Sequence, residues 1–118
     1  MKKSSSIWQI CDRLCSDIVR ARDGKCRFCG NPGSGSHHII GRGYDGTMFL
    51  PENRLWLCQP CHQNELGLQE RCIEIIGQSE FDRLWGIANK VTQLHRADLV
   101  LIREKLKKER DEQEKTNG

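Results

Sequence analysis

Two Cys-x-x-Cys pairs constrain this chain more than any other feature. The first pair is Cys26 and Cys29, and the second is Cys58 and Cys61. The short gap within a pair lets both thiolates point at one tetrahedral centre, and four thiolates make a closed structural zinc site. The alternatives are four cysteines that are buried by chance, or a redox pair, which the lack of a thioredoxin-like βαβ pattern disfavours. We predict one structural Zn²⁺ bound by all four cysteines.

The composition favours a fold that depends on such a metal. The chain has 118 residues, of which 36% are hydrophobic, so only a small core can form. Metal binding would then be coupled to folding. The chain contains seven cysteines, an odd number, and its first residues lack the apolar run of a signal peptide. We therefore expect a cytoplasmic domain with reduced thiols and no contact with a membrane.

Histidines lie between and beside the two cysteine pairs. His37 and His38 are adjacent in residues 36–40, which have the pattern of a short strand. Neighbours on a strand point to opposite faces, so the two imidazoles can reach one metal only if the backbone bends locally. His62 directly follows Cys61. A zinc ion that joins the cysteine pairs would therefore also bring His62 close to His38.

Helical patterns flank this central segment. Ser6 and Gln9 have the spacing of a capping box, and Gly24 is typical of a helix end, so we predict a helix over 6–23. Residues 54–57 have the pattern of a second strand, followed by a helix from about Gln59. The predicted apolar stripe of the first helix consists of Ile7, Cys11, Leu14, Ile18 and Ala21. Cys11 and Cys15 are interpreted as core thiols, the alternative being a second metal pair.

The sequence predicts a single domain over 1–118 with an α+β fold. Its parts are a lead-in helix over 6–23, a zinc-stabilised core over 24–67, a helical extension over 68–107 and a tail over 108–118. The extension has buried faces at Leu68, Cys72, Ile75 and Ile76, at Phe81, Leu84, Trp85 and Ala88, and at Leu99, Ile102 and Leu106. The tail has no apolar residue, so it is expected to be a solvated helix or disordered.

The order Cys-x-x-Cys, His-His, Asn, Cys-x-x-Cys-His resembles the HNH endonucleases, also called ββα-metal or His-Me finger nucleases. The resemblance covers residues 20–65 and includes Asn53 in a Pro-Glu-Asn stretch that is similar to one in the family. It implies a ββα-metal motif that is preceded by one helix and followed by a helical tail. It also implies metal-dependent hydrolysis of phosphodiester bonds in DNA.

The family pattern implies a role for each matching residue. His38 matches the general base, for which a neutral imidazole with a pKa of about 6.5 is suitable. His37 and His62 match ligands of a single catalytic cation, which would be Mg²⁺, Mn²⁺, Ni²⁺ or Zn²⁺. Asn53 matches a residue that positions the base and its loop, or in other members binds metal. We expect Asn53 to hold the imidazole of His38 by a hydrogen bond.

Three further positions near these residues are candidates for contacts with the cation or with DNA. After His62 the chain departs from the family pattern, and Asn64 and Glu65 become candidates for a third protein ligand of the cation. Arg42 lies four residues beyond His38 and is a candidate phosphate contact, because the guanidinium fork matches phosphate oxygens. An ordinary exposed arginine is the equal alternative.

The charge distribution favours DNA as the partner. Residues 1–62 carry nine Lys and Arg against five Asp and Glu, whereas residues 63–118 carry ten against eleven. The basic excess thus lies with the predicted site, as expected for a protein that approaches phosphates. No helix is rich in base-reading residues, so binding is expected mainly through the DNA backbone.

A looser resemblance concerns the residues that follow His38 and the Lys-rich helical end. Both are similar to NinG-type recombination proteins of lambdoid phages and to prophage HNH proteins. The resemblance implies phage origin, with branched DNA or a phage packaging or recombination protein as a partner. The alternative function is a non-catalytic, zinc-dependent module that binds nucleic acid, including branched DNA. Such a module has no need for the set of His37, His38, Asn53 and His62.

Overall fold

The computed structural model describes residues 5–91 and 93–117, so the ends of the predicted domain, 1–4 and 118, lie outside it. The elements in chain order are α1 (Ser6–Asp23), β1 (Gly35–His38), α2 (Asp45–Met48), a 3₁₀ turn (Pro51–Asn53), β2 (Arg54–Leu57), α3 (Gln59–Gln63), α4 (Leu68–Ile76), α5 (Gln78–Lys90) and α6 (Arg96–Asn117). The two strands pair antiparallel, with His38 opposite Arg54. The described residues therefore form a small, compact α+β fold with six helices.

Helix α1 has its cap one residue earlier than predicted. The side chain of Ser5 accepts a hydrogen bond from the backbone N–H of Trp8 at 3.3 Å, so Ser5 is the N-cap. The predicted cap at Ser6 is wrong because consecutive serines offer equivalent hydroxyls, and the extended backbone selects Ser5. Gly24 ends the helix as predicted, with φ +72°, and its N–H donates to the carbonyl of Arg20 at 2.8 Å.

Helices α1 and α6 pack side by side and enclose the first of two apolar clusters. The thiol of Cys11 donates to the carbonyl of Leu99 at 3.4 Å, and Gln113 Nε2 donates to the carbonyl of Ile18 at 3.0 Å. The buried members of this cluster are Ile7, Trp8, Cys11, Leu14, Cys15, Ile18, Met48, Phe49, Leu94, Leu99 and Leu106. Cys11 and Cys15 are thus core thiols, as interpreted from the sequence.

The last turn of α1 differs from the predicted stripe. Ala21 is exposed, because the polar end of α6 lies beside it. Arg110 and Gln113 line an open cavity with Ala21 instead of covering it with apolar atoms. Helix α6 continues through most of the predicted tail up to Asn117, and its residues beyond Lys107 are mostly exposed. Of the two expectations for the tail, a solvated helix and disorder, the structure shows the solvated helix up to Asn117.

The second apolar cluster joins the sheet to α4 and α5. Its buried members are Cys26, Ile39, Ile40, Leu55, Leu57, Cys58, Cys72, Phe81, Leu84 and Ala88. The predicted inner faces of α4 and α5 therefore pack against the strands and against two of the four paired cysteines. Gly77 separates these helices, and its φ of +91° favours glycine there. None of the helices in 5–91 and 93–117 is long and apolar enough to cross a bilayer.

The segment between the strands differs from the prediction in two ways. The strand predicted over 36–40 ends at His38. The N–H of Ile39 still donates to the carbonyl of Asn53 at 2.8 Å, but Ile40 bonds to the side-chain amide of Asn53 and not to the partner backbone. The second difference is α2, which was not predicted because a single turn is too short to give a periodic pattern. The carboxylate of Asp45 accepts a hydrogen bond from the N–H of Leu94 at 3.0 Å, so α2 is attached to the chain that leads into α6.

Asp23 connects the end of α1 to β2 and to the first cysteine pair. Its carboxylate accepts hydrogen bonds from the N–H of Trp56 at 2.9 Å, Arg22 Nε at 2.7 Å and Arg27 Nη1 at 3.0 Å. Burial acts to raise the pKa of Asp23, but these hydrogen bonds outweigh it and lower the pKa below its usual value. Asp23 thus fixes the segment that carries Cys26 against the sheet.

Candidate metal centre and histidine cleft

The four paired cysteines come together in space. The sulfur atoms of Cys26, Cys29, Cys58 and Cys61 all lie within 4.8 Å of one another, and those of Cys29 and Cys58 are 3.6 Å apart. A tetrahedron with Zn–S bonds of about 2.3 Å has sulfur–sulfur edges of about 3.8 Å, so the donor set fits zinc. The four cysteines could therefore hold a structural metal such as zinc.

Local backbone geometry brings the two pairs to this position. Gly30 follows the first pair with φ +78°, a conformation that favours glycine and turns the chain sharply. The N–H of Gly30 donates to the carbonyl of Cys26 at 2.9 Å and so closes the turn. In the second pair, Cys58 is the N-cap of α3, and Pro60 lies in the first helical turn, where its missing N–H costs nothing.

The close approach of the cysteines shifts the pKa values of Cys26 and Cys61 in opposite directions. Burial acts to raise the pKa of Cys26, but hydrogen bonds from the backbone N–H groups of Cys29, Cys58 and Phe28 lower it to about 6. Contact with the thiol of Cys58, together with burial and the other two cysteines, raises the pKa of Cys61 to about 12. The thiolate of Cys26 thus forms readily, whereas its neighbours make a further negative charge on Cys61 unfavourable. A divalent cation would compensate this repulsion, because bound thiols lose their protons.

An open cleft of about 220 Å³ lies next to the cysteine cluster. It is lined by Ser36, His37, His38, Gly41, Arg42 and His62. The rings of His37 and His62 are 4.9 Å apart between centroids and inclined at 68°. The cleft therefore combines three imidazoles and a guanidinium, and it brings together His37, His38, His62 and Arg42, which the sequence analysis singled out.

One strand and one short helix hold these histidines. His37 and His38 are the last residues of β1, and His62 lies on α3 directly after Cys61. His38 is 7% exposed, whereas His37 is half-buried and His62 is exposed. Side chains on the two faces of the strand reach one cleft because the regular strand ends at His38. A metal at the cysteines would keep α3, and with it His62, next to the sheet.

A hydrogen bond to the main chain defines which nitrogen of the His38 ring carries the proton. Its Nε2 lies 3.2 Å from the carbonyl oxygen of Met48. A carbonyl oxygen only accepts, so Nε2 carries the proton and the neutral ring keeps its lone pair on Nδ1. This arrangement leaves Nδ1 as the nitrogen of His38 that can take up a further proton.

Burial lowers the pKa of two of the cleft histidines. It is the largest cause for His38, whose pKa falls to about 3, and the positive charges of Arg54 and Arg42 lower it further. Burial and the charge of His62 lower the pKa of His37 to about 4. Both rings are therefore neutral at pH 7, and each offers one nitrogen lone pair. The pKa of about 6.5 expected for His38 from the sequence is corrected, because that value belongs to an exposed ring.

Asn53 is fully buried and contacts the main chain of the loop after His38. Its Oδ1 accepts from the N–H of Ile40 at 2.9 Å, and its Nδ2 donates to the carbonyls of Ile40 and Thr47 at 3.0 and 3.1 Å. The expected hydrogen bond to the imidazole of His38 is therefore wrong, because these backbone groups use the amide. Asn53 instead fixes the loop after His38 through its contacts with Ile40 and Thr47.

The cleft offers fewer protein ligands than the cysteine cluster. Among the described residues, the four cysteines form the only group of three or more His, Cys, Asp or Glu side chains that could hold one ion. Glu65 is exposed and does not join His37 and His62, so its candidacy as a third ligand is wrong. Asn64, the other candidate, ends α3 and is exposed. The rings of His37 and His62 are the part of the predicted ligand set that lies together in the cleft.

The sequence analysis missed Arg54, which lies directly behind the cleft. Its side chain is fully buried, and its Nη2 donates to the carbonyl of Met48 at 2.8 Å. The same carbonyl accepts from His38. A signal was present in the sequence, because a charged residue that begins an otherwise apolar strand must either face solvent or find partners inside.

Comparisons with known proteins add no relative to this description. No protein-family model, no curated protein and no solved structure matches the chain.

Proposed function

We propose that the protein is a metal-dependent endonuclease of the HNH type, which hydrolyses phosphodiester bonds in DNA. The observation that carries the proposal is the cleft in which His37, His38 and His62 meet Arg42 beside the four-cysteine cluster. Three imidazoles and one guanidinium in an open cleft match the needs of phosphodiester hydrolysis. The ββα-metal motif of that family would consist of β1, β2 and α3.

His37 and His62 would hold the catalytic cation. Their rings are close enough to share one ion, and the remaining positions would be taken by water and by phosphate oxygens. Such a cation supplies Lewis-acid stabilisation of the negative charge on the phosphate and on the leaving oxygen. The exposed position of His62 and the openness of the cleft leave room for a DNA strand.

His38 would act as the general base. Its Nδ1 takes a proton from a water molecule while the water oxygen forms a bond to phosphorus in line with the leaving group. The bond from phosphorus to the 3′ oxygen breaks, and that oxygen then takes a proton from solvent. The low pKa of His38 in the free protein keeps the ring neutral and ready to accept the proton. A bound phosphodiester would raise its proton affinity, because a nearby negative charge favours the imidazolium.

The burial of His38 favours a second candidate function. With an exposure of 7% the ring could serve mainly as a structural hydrogen-bond donor to Met48. The protein would then be a non-catalytic, zinc-dependent module that binds nucleic acid, with branched DNA as a candidate ligand. Both functions place DNA phosphates in the cleft, and only the first requires a water-activating base.

A cleavage assay separates the two functions. Zinc-loaded protein is incubated with supercoiled plasmid and with a branched DNA, in Mg²⁺, Mn²⁺ or Ni²⁺ and in EDTA. We expect nicked or linear products that require the added cation. Binding of the branched DNA without cutting in any of the cations would instead support the binding module. Cutting that persists in EDTA would contradict the proposed role of a catalytic cation.

Arg42 is expected to contact a DNA phosphate. Arg42→Ala should weaken DNA binding similarly across sequences and reduce the slope of log K against log salt by about 1. The measurement is a salt titration of the affinity for a labelled duplex. Lys108→Ala, on the exposed end of α6, is the matched control and should leave the slope unchanged. An unchanged slope for Arg42→Ala would remove this residue from the interface.

The proposed function also bears on the cellular compartment and the biological role of the protein. The seven cysteines of the chain form no disulfide, which suits a reducing cytoplasm. A role in phage or prophage DNA processing, with a packaging or recombination protein as a partner, follows from the sequence resemblance alone. Comparing branched and linear duplexes in the cleavage assay tests the preference that this role implies.

A further inference from the structure

Arg54 is a buried charge behind the histidine cleft. Its side chain is 0% exposed, and its guanidinium donates to the carbonyl of Met48 at 2.8 Å and to Ser36 Oγ at 3.2 Å. Burying a guanidinium is unfavourable unless its charge and its N–H groups are paired. A residue that only filled this position of β2 would be apolar, as Leu55 and Leu57 are. We therefore infer that the buried charge of Arg54 has a role other than packing.

The partners of Arg54 come from three different elements. From α1, Asp12 makes an ion pair with Nη2 at 2.8 Å, and its carbonyl and Ser16 Oγ accept from Nη1 at 3.3 and 3.1 Å. Ser36 belongs to β1, and its hydroxyl lies 2.7 Å from that of Ser16. Met48 is the last residue of α2. One rigid, planar group thus joins α1, β1 and α2 immediately behind the cleft.

The carbonyl of Met48 is where this polar cluster meets the proposed base. It accepts from Arg54 Nη2 at 2.8 Å and from His38 Nε2 at 3.2 Å, and its two lone pairs allow both hydrogen bonds. Met48 is the last residue of α2, so no N–H of the helix donates to this carbonyl and the helix itself does not hold it. The charged donor makes the stronger of the two contacts. The position of the Met48 carbonyl, and with it the ring of His38, therefore depends on Arg54.

We propose that Arg54 is a positioning residue, which anchors the carbonyl of Met48 and thereby holds the imidazole of His38 with its proton on Nε2. The inference rests on the proposed function, in which Nδ1 of His38 takes the proton from water. A displacement of about 1 Å in such a group can lower a rate about 10²-fold. Loss of Arg54 is therefore expected to reduce cleavage although it does not touch the DNA.

Three variants of the zinc-loaded full chain test this role. Asp12→Asn/Arg54→Met removes the guanidinium and the charge of its partner together, so no unpaired buried charge remains. Arg54→Lys keeps the positive charge but lacks the fork that reaches several acceptors at once. Asp12→Asn keeps Arg54 and is the matched control. Zinc content and the midpoint of thermal unfolding establish that each variant is folded.

The first readout is the ¹⁵N spectrum of the His38 ring, which reports directly where its proton lies. We expect wild type and Asp12→Asn to show one neutral form with the proton on Nε2. We expect the double variant to show both neutral forms or a broadened signal. A wild-type ring with its proton on Nδ1, or a double variant with unchanged His38 signals, would overturn the proposal. If the double variant does not fold, Arg54→Lys provides the same comparison.

The second readout is the single-turnover cleavage rate at saturating protein. We expect a loss of about 10²-fold in the double variant and a smaller loss in Arg54→Lys, with unchanged affinity for DNA. A double variant that cleaves at the wild-type rate would overturn the proposal. If wild type itself does not cleave while the ¹⁵N signals still change, the proposed function fails and the positional link between Arg54 and His38 stands.

Discussion

Replacing His38 with alanine is expected to lower the rate of DNA cleavage by about 10²–10⁴-fold, which is the usual contribution of a general base. The fold should survive the change. The carbonyl of Met48 would still accept a hydrogen bond from Arg54, so removal of the imidazole leaves no buried acceptor without a partner. Zinc content should equal that of wild type, because His38 does not belong to the cysteine cluster. The measurement is the single-turnover cleavage rate with the cation that supports wild-type activity.

His95→Ala provides the control for this variant. His95 precedes α6, is exposed and lies outside the residues that line the cleft, so its loss should leave the rate unchanged. DNA affinity should be nearly equal in all three proteins, since His38 is mostly buried. If His38→Ala cuts DNA as fast as wild type, the base is another group, and the assignment of His38 has to be abandoned.

Replacing Cys58 with serine is expected to release the structural metal and to unfold most of the protein. Structural zinc contributes about 10–16 kcal/mol of apparent binding free energy in small zinc-binding peptides, which exceeds the stability of many whole domains. Cys58 is also the N-cap of α3, so its displacement would free the helix that carries His62. Metal analysis of the purified protein and its circular dichroism melting curve measure the two effects.

Cys11→Ser is the matched control for the loss of a thiol. The thiol of Cys11 is buried and donates to the carbonyl of Leu99, a contact that a hydroxyl can replace. This variant should keep one zinc per chain and lose little stability. A chelator added to wild type should reproduce the unfolding of Cys58→Ser. A Cys58→Ser protein that remains folded without metal would show that the cysteine cluster does not hold the fold together.

Spacing along the chain predicted the parts of the site that are close in sequence or tied by ligand chemistry. The two cysteine pairs specify their own convergence, because a tetrahedral metal needs four donors at fixed distances. The position of His62 beside Cys61 then requires α3 to approach β1. The same spacing did not reveal which groups Asn53 would contact. An amide can bond equally to a ring or to the main chain, and only the path of the loop decides between them.

Contacts between distant elements were beyond such reasoning. Arg54 was interpreted as an ordinary strand residue, and its partners Asp12 and Ser16 lie on a helix whose apolar stripe alone had been considered. The low pKa of His38 has the same origin, since burial depends on α1 and α2 packing around the strand. Ala21 was misplaced because periodicity defines a helix face without showing where the neighbouring helix becomes polar.

The pairing of α1 with α6 has a consequence for synthesis on the ribosome. The apolar face of α1 is synthesised before Leu99 and Leu106, which cover much of it and follow the cysteine segment and both strands along the chain. Because synthesis adds about 5–20 residues per second, the apolar face of α1 stays uncovered for roughly ten seconds before α6 is made. The cysteine segment and both strands leave the ribosome in the meantime. The metal centre can therefore assemble first, while the uncovered half of the nascent chain is open to chaperones.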